Sequence, residues 1–173
     1  MSRGFKKEEA PEDPIVVPPR APLPAGVPNY VTPRGEGLLR DELAALDAER
    51  SALSSGGGEE TQRKREITAV GEKIRLLRQR LAQTQVVDPE RQKPGVARFG
   101  AHVTLSAADG NTRSVQIVGV DEADAARGLV AFTSPIARAV SGKSVGDAVV
   151  LKAGGTEEHL VVMSVAYGEA PEA

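Results

Sequence analysis

The sequence predicts an α+β chain: an N-terminal antiparallel α-helical coiled-coil hairpin, then a small antiparallel sheet with one short helix. Three observations predict it. Ile67, Val70, Ile74, Leu77 and Leu81 recur at alternating steps of three and four, the spacing of a coiled-coil seam. Leu39, Leu43, Leu46 and Leu53 keep a matching rhythm upstream, with Arg50 on the same stripe, and Gly56-Gly57-Gly58 separates the two stripes. Three glycines cannot continue a helix cheaply, so the chain turns there. From Val96 the apolar period falls to two, the period of strands. One amphipathic arm of this length is marginal in water, whereas two can bury their stripes against each other. The bland alternative is a pair of helices lying on a globular body; the narrow stripes and charged outer faces argue against it.

At 173 residues the chain has room for one ordinary domain with an extension, or for two small units. Its net charge of -2 carries no overall basic signature for nucleic acid. Cysteine is absent, which excludes disulfides, thiolate zinc sites and cysteine nucleophiles and fits a reducing cytoplasm. No apolar run is long enough to span a membrane, and residues 1–13 lack the apolar core of a signal peptide, so no membrane partner is expected. Tryptophan is absent and aromatics are scarce, which disfavours a base-stacking platform.

Residues 1–30 read as a disordered proline-rich leader, holding Pro11, Pro14, Pro18, Pro19, Pro22, Pro24 and Pro28. Ile15-Val16-Val17 is its one apolar cluster and a docking peptide in the alternative reading. Residues 31–88 form the hairpin. Thr32 caps its first helix, with Pro33 where no hydrogen bond is lost; Gly35 and Gly37 weaken that first turn. Glu59-Glu60 opens the second helix, where the macrodipole favours carboxylates, and Asp88-Pro89 lies beyond its end. Residues 89–95 are a linker. Residues 96–168 form the sheet module, with strands expected at 101–106, 114–118, 129–133, 148–151 and 160–165. Asp109-Gly110-Asn111 and Gly154-Gly155 are turns, and Ser134-Pro135 starts a short helix over 136–140. Residues 169–173 are a fraying tail. From Val96 onward there are six Lys/Arg against nine Asp/Glu, a balance suited to a basic protein surface rather than a phosphate backbone.

No constellation supports a self-contained enzyme. His102 and His159 lie in different segments and read as ordinary strand residues. No serine sits in a nucleophile elbow, and Gly56-Gly57-Gly58 lacks the lysine and preceding strand of a phosphate loop. Asp121, Glu122 and Asp124 cluster on one loop; a solvated loop, a cation site and an acidic surface for a basic partner are the three readings. Glu59 and Glu60 stand at the end of a projecting rod. A carboxylate pair there can help hold a divalent ion belonging to another protein's active site, or can simply be first-turn acid. Arg63, Lys64 and Arg65 follow, either facing RNA near the tip or forming a solvated face.

Several motifs occur in a fixed order: Thr32-Pro33-Arg34-Gly35, Gln85-Val86-Val87-Asp88, Arg98-Phe99-Gly100, Ile117-Val118-Gly119-Val120-Asp121-Glu122, Ser134-Pro135-Ile136-Ala137-Arg138-Ala139 and Val145-Gly146-Asp147. With the order of hairpin, linker and sheet, they resemble the bacterial Gre transcription elongation and cleavage factors (GreA/GreB), the GreB branch in particular. The resemblance runs from Tyr30 to about Tyr167. It implies an FKBP-like C-terminal module that docks on the rim of the secondary channel of RNA polymerase, while the hairpin runs toward the active site. In the family, a tip D-x-x-E-N motif helps coordinate a second magnesium, and the polymerase cleaves backtracked RNA. The implied protein is a monomer, is no enzyme itself, carries no cofactor beyond magnesium shared with the polymerase, and meets nascent RNA and DNA only inside the transcription complex. Docking is carried over to Asp121, Glu122, Ser134, Pro135 and Ala137, the serine and proline having a competing role as helix cap and first turn. Cleavage is carried over to Glu59 and Glu60, and RNA contact to Arg63, Lys64 and Arg65.

Two departures concern the tip. Leu53 to Glu60 lacks the D-x-x-E-N motif, and Pro33 to Ser54 spans only about 33 Å at 1.5 Å per residue, several turns shorter than the family's first arm. A Gre-type regulator therefore has two versions, one stimulating cleavage through Glu59 and Glu60, the other occupying the channel as an inhibitor or initiation modulator. The tip favours the second. A peptidyl-prolyl isomerase is the contrasting class, but it needs an aromatic-lined pocket, and Phe99, Phe132 and Tyr167 are expected in the core. A scaffold whose leader recruits another factor is the third.

Overall fold

Thr32 starts the hairpin as the residue pattern predicts. In the computed structural model, which describes residues 15–168, its hydroxyl accepts from the Gly35 N–H at 2.9 Å and caps helix α1, Pro33–Ser55. Residues 56–59 turn the chain into helix α2, Glu60–Ala82, and Gly58 takes φ +116, which a side chain would resist. Each helix has 23 residues, about 34 Å of rod. The seam is driest toward the helices' free ends, where Leu39 and Leu77 cluster with Val31, and Ile74 and Val70 are buried as well; Leu43, Leu46 and Leu53 are half-buried and Arg50 is exposed. The hairpin thus has a well-packed root and a wet distal half. A cross-helix ion pair, Arg78 to Asp47 at 3.3 Å, braces the hairpin. Neither helix packs along the large sheet, so the alternative of helices lying on a globular body does not hold.

The leader ends earlier than expected. Asn29–Val31 is strand β1, paired in parallel with β2, Thr84–Val86, across the whole hairpin. Three residues per strand carry no readable periodicity, but Val31 is buried against Leu39 and Leu77 and draws the segment in. Asn29 is buried as well, and its side-chain amide finds no partner among the described residues; nothing nearby explains it. Within the expected linker, Pro89–Arg91 makes a short 3-10 turn capped by Asp88. The leader before residue 15 and the expected tail at 169–173 lie outside the described residues.

The module has five strands: β3, His102–Ala107; β4, Thr112–Val118; β5, Leu129–Ala131; β6, Ala148–Ala153; and β7, Thr156–Ala166. Their order is β5-β4-β3-β7-β6. One face buries Val103, Leu105, Val115, Ile117, Val149, Leu151, Leu160 and Val162 against helix α3, Pro135–Val140. The antiparallel sheet expected from sequence is corrected to a mixed one, because β5 pairs with β4 in parallel. Residues 119–128 make this arrangement by leaving the sheet after Val118 and returning the chain to run beside β4 in the same direction.

That crossover loop begins where the hairpin meets the module. A Cβ on Gly119 would lie 2.8 Å from the Tyr30 carbonyl oxygen, so only glycine allows β1 so close. Beside it Tyr30 packs against Phe99 and Phe132, with ring centroids 5.9 and 5.6 Å away. We expect Gly119→Ala to cost about 2 kcal/mol by forcing the two backbones apart, read as a lower urea midpoint with an unchanged slope.

Candidate functional site

The chemistry-bearing side chains gather at the two ends of the rod. At the tip, Glu59 is the N-cap of α2: its Oε1 accepts from the Thr61 N–H at 3.2 Å and its Oε2 from the Gln62 N–H at 3.1 Å. The Gln62 hydrogen bond, then those of Thr61, holds this carboxyl below its ordinary range, so it is ionised. Glu60 pairs with Lys64 at 2.6 Å. Arg63 reaches back to the Gly56 carbonyl at 3.1 Å, placing a cation at the C-terminal end of α1, whose own last turn has none. Arg65 is half-buried on the same helix. Of the sequence-predicted tip residues, the structure therefore brings Glu59, Glu60, Arg63 and Lys64 together and gives each of these four a task at a helix terminus.

At the root, two acids of the crossover loop face the hairpin. Asp121 is 7% exposed in its side chain and takes a guanidinium on each side. Arg20 donates to Oδ1 from Nε and Nη2 at 3.2 and 3.1 Å, and Arg80 Nε lies 3.3 Å from Oδ2. Glu122 accepts from the Thr32 hydroxyl at 2.6 Å and pairs with Arg34 at 3.5 Å. Gly35 belongs to this contact: a Cβ there would sit 2.6 Å from Glu122 Oε2. The glycine that reads as a weak first turn is what admits the carboxylate. The readings of Asp121 and Glu122 as a solvated loop or an outward acidic surface are both corrected, since the two side chains are buried and their cations lie on the hairpin side. Asp124 turns elsewhere and caps the loop's 3-10 turn through the Ala126 N–H at 3.1 Å. Among the described residues no three His, Asp or Glu side chains converge on a metal position.

The other residues expected to dock lie at the start of α3. Ser134 caps it, accepting from the Ala137 N–H at 3.3 Å, and Pro135 is exposed at its first position. Ala137 is 2% exposed in the sheet's core, which corrects its expected role as a contact residue: it can support such a surface only from beneath. His102 donates from Nε2 to the Gly168 carbonyl at 3.0 Å, and burial pushes its pKa down; His159 is exposed beside Glu157 at 3.3 Å. Phe99 and Phe132 close on Tyr30 and on each other, 5.8 Å apart, and the Tyr167 hydroxyl donates to the Val96 carbonyl at 2.6 Å. The aromatics that a proline-binding pocket would need are spent on the joint and the core.

Sequence reasoning missed Arg20, Glu42 and Arg80. Glu42 binds the Arg20 guanidinium through both oxygens, at 2.8 and 3.0 Å. Arg20 and Asp121 are 101 positions apart, and no local pattern connects them.

Residues 91–167 match the family described as transcription elongation factor, GreA/GreB, C-terminal domain. The transcription elongation factor GreB of Neisseria meningitidis serogroup A is 36% identical over 153 residues, covering 80% of this chain and 94% of that protein. GreB of Pseudomonas aeruginosa is 33% identical over 165 residues, covering 88% and 98%. Among solved structures, the GreA/GreB factor from Nitrosomonas europaea aligns over 82% of this chain and 99% of that one, with 17% identity and a TM-score of 0.40. No helix among the described residues is long and apolar enough to cross a membrane.

Proposed function

This chain belongs to the GreA/GreB family of transcription elongation factors, close to GreB, and from that we propose that it binds RNA polymerase at the rim of the secondary channel and inserts its hairpin toward the active site. It acts in the cytoplasm as a monomer and is a regulator of another enzyme rather than an enzyme. The observation that carries this reading is the rod itself: two paired helices of 23 residues, packed on each other and on β1 and β2, and leaving the sheet free. The exposed Pro135 at the start of α3 belongs to the docking surface. Asp121 and Glu122 serve docking indirectly, by setting the direction in which the rod points.

The tip geometry favours channel occupancy over donation of carboxylates to a polymerase-held magnesium. Glu59 uses both oxygens to cap α2, and Glu60 is paired with Lys64. The test is a backtracked elongation complex incubated with the protein. Binding with RNA of unchanged length is the expected result. Shortened RNA would overturn the occupancy version and make Glu59 and Glu60 the donors, in which case Glu59→Ala/Glu60→Ala removes the shortening while binding stays. Failure to associate with polymerase at all would overturn the whole reading.

A further inference from the structure

Arg20 lies in a stretch whose composition predicts no structure, yet it is among the most tightly held cations in the described chain. Its side chain is 23% exposed. A guanidinium fork carries five N–H donors, and here four hydrogen bonds reach two carboxylates on different elements. Glu42 comes from α1 and Asp121 from the crossover loop. The next residue is held too: the Ala21 carbonyl accepts from Arg80 Nη2 on α2. The strap thus touches both arms of the hairpin and the module at one point.

The chemistry of this junction fits an arginine and little else. Asp121 is nine-tenths buried, so one of its oxygens would lose its partner if Arg20 left. Arg80 offsets only one of the two carboxylates. A planar fork can bridge Glu42 bidentately and still reach Asp121; a lysine ammonium is a point charge and cannot. Pro18, Pro19 and Pro22 flank the arginine, and proline holds extended backbone at low entropic cost, so the segment is cheap to dock.

We propose that the junction of α1, α2 and the crossover loop is a binding site for a proline-flanked arginine, and that the chain's own leader, residues 18–22, fills it as a strap. The site is independent of the polymerase reading. It fastens the hairpin to the module at the root of the rod, and it makes the leader a working part of the fold.

The Arg20–Ala21 bond is itself a trypsin site, which supplies a direct readout on the full chain. Cleavage there, followed by mass spectrometry, is expected to be at least tenfold slower in the native protein than in a peptide spanning residues 15–28. Arg20→Lys keeps the charge and the scissile bond but loses the fork, and should be cut about as fast as the peptide. Glu42→Ala removes only the α1 carboxylate, on an exposed helix face that leaves folding intact, and should accelerate cleavage several-fold. Added salt should do the same. Equal cleavage rates in native protein and peptide would overturn the proposal. So would an Arg20→Lys chain as protected as the native one, because any basic residue would then suffice.

Discussion

Leu77→Ala is expected to cost about 3 kcal/mol and to lower the melting temperature of the helical signal by roughly 10 °C or more. Leu77 is fully buried, and with Val31 and Leu39 it forms the root cluster on which Leu43, Leu46 and Leu81 lean. That cluster is separate from the core of the sheet. Removing three carbons leaves a cavity in the best-packed part of the seam, and helices of this length are marginal in water without such packing. The loss should be uneven along the rod. Leu53→Ala, at a half-buried distal position, should shift the melt by only a small fraction of the Leu77→Ala effect. Circular dichroism at 222 nm follows the helices, and the methyl resonances of Val103 and Val162 follow the sheet. If the two signals melt together in every variant, the hairpin and the module form one cooperative unit and the separation argued from their clusters is wrong.

What the sequence makes legible is whatever is encoded locally. The seam from Ile67 to Leu81 is a periodic signal, and Thr32-Pro33 and Ser134-Pro135 are cap signals in which both partners lie within one turn. Each of these appears in the fold where the residues place it. The pieces that escape notice depend on distant partners. β1 and β2 are three residues each and meet only because the hairpin brings their ends together. β5 is short, and nothing within it reveals whether it pairs parallel or antiparallel. Asp121 and Glu122 read as solvated because a loop with charges usually is. Their partners Arg20, Thr32, Arg34 and Arg80 all lie far upstream, in segments read as leader, helix start and the end of the second helix. The tip sits between these cases: Glu59 and Glu60 are placed correctly at the turn, but the structure is needed to show that capping and pairing already occupy them.

Asp121→Ala is expected to destabilise the protein by about 3 kcal/mol, because removing one partner of a buried ion pair leaves the other uncompensated. Arg20 would keep Glu42, so the loss falls chiefly on Arg80, which is 9% exposed and retains the Ala21 carbonyl. Replacing both sides separates a structural role from a recognition role. Asp121→Leu/Arg80→Met puts apolar groups of similar volume into the same space and should recover most of the stability, since buried charge pairs are often no better than apolar packing. Polymerase binding then decides what the carboxylate is for. If Asp121 works by holding the rod at its angle, the double variant should bind nearly as well as the native chain and the single variant poorly. If a partner reads the carboxylate itself, both variants should bind equally poorly despite their different stabilities. The burial of Asp121 and its two guanidinium neighbours argue for the first outcome. An unchanged urea midpoint in the single variant would show that the aromatic joint of Tyr30, Phe99 and Phe132 holds the root without help from these charges.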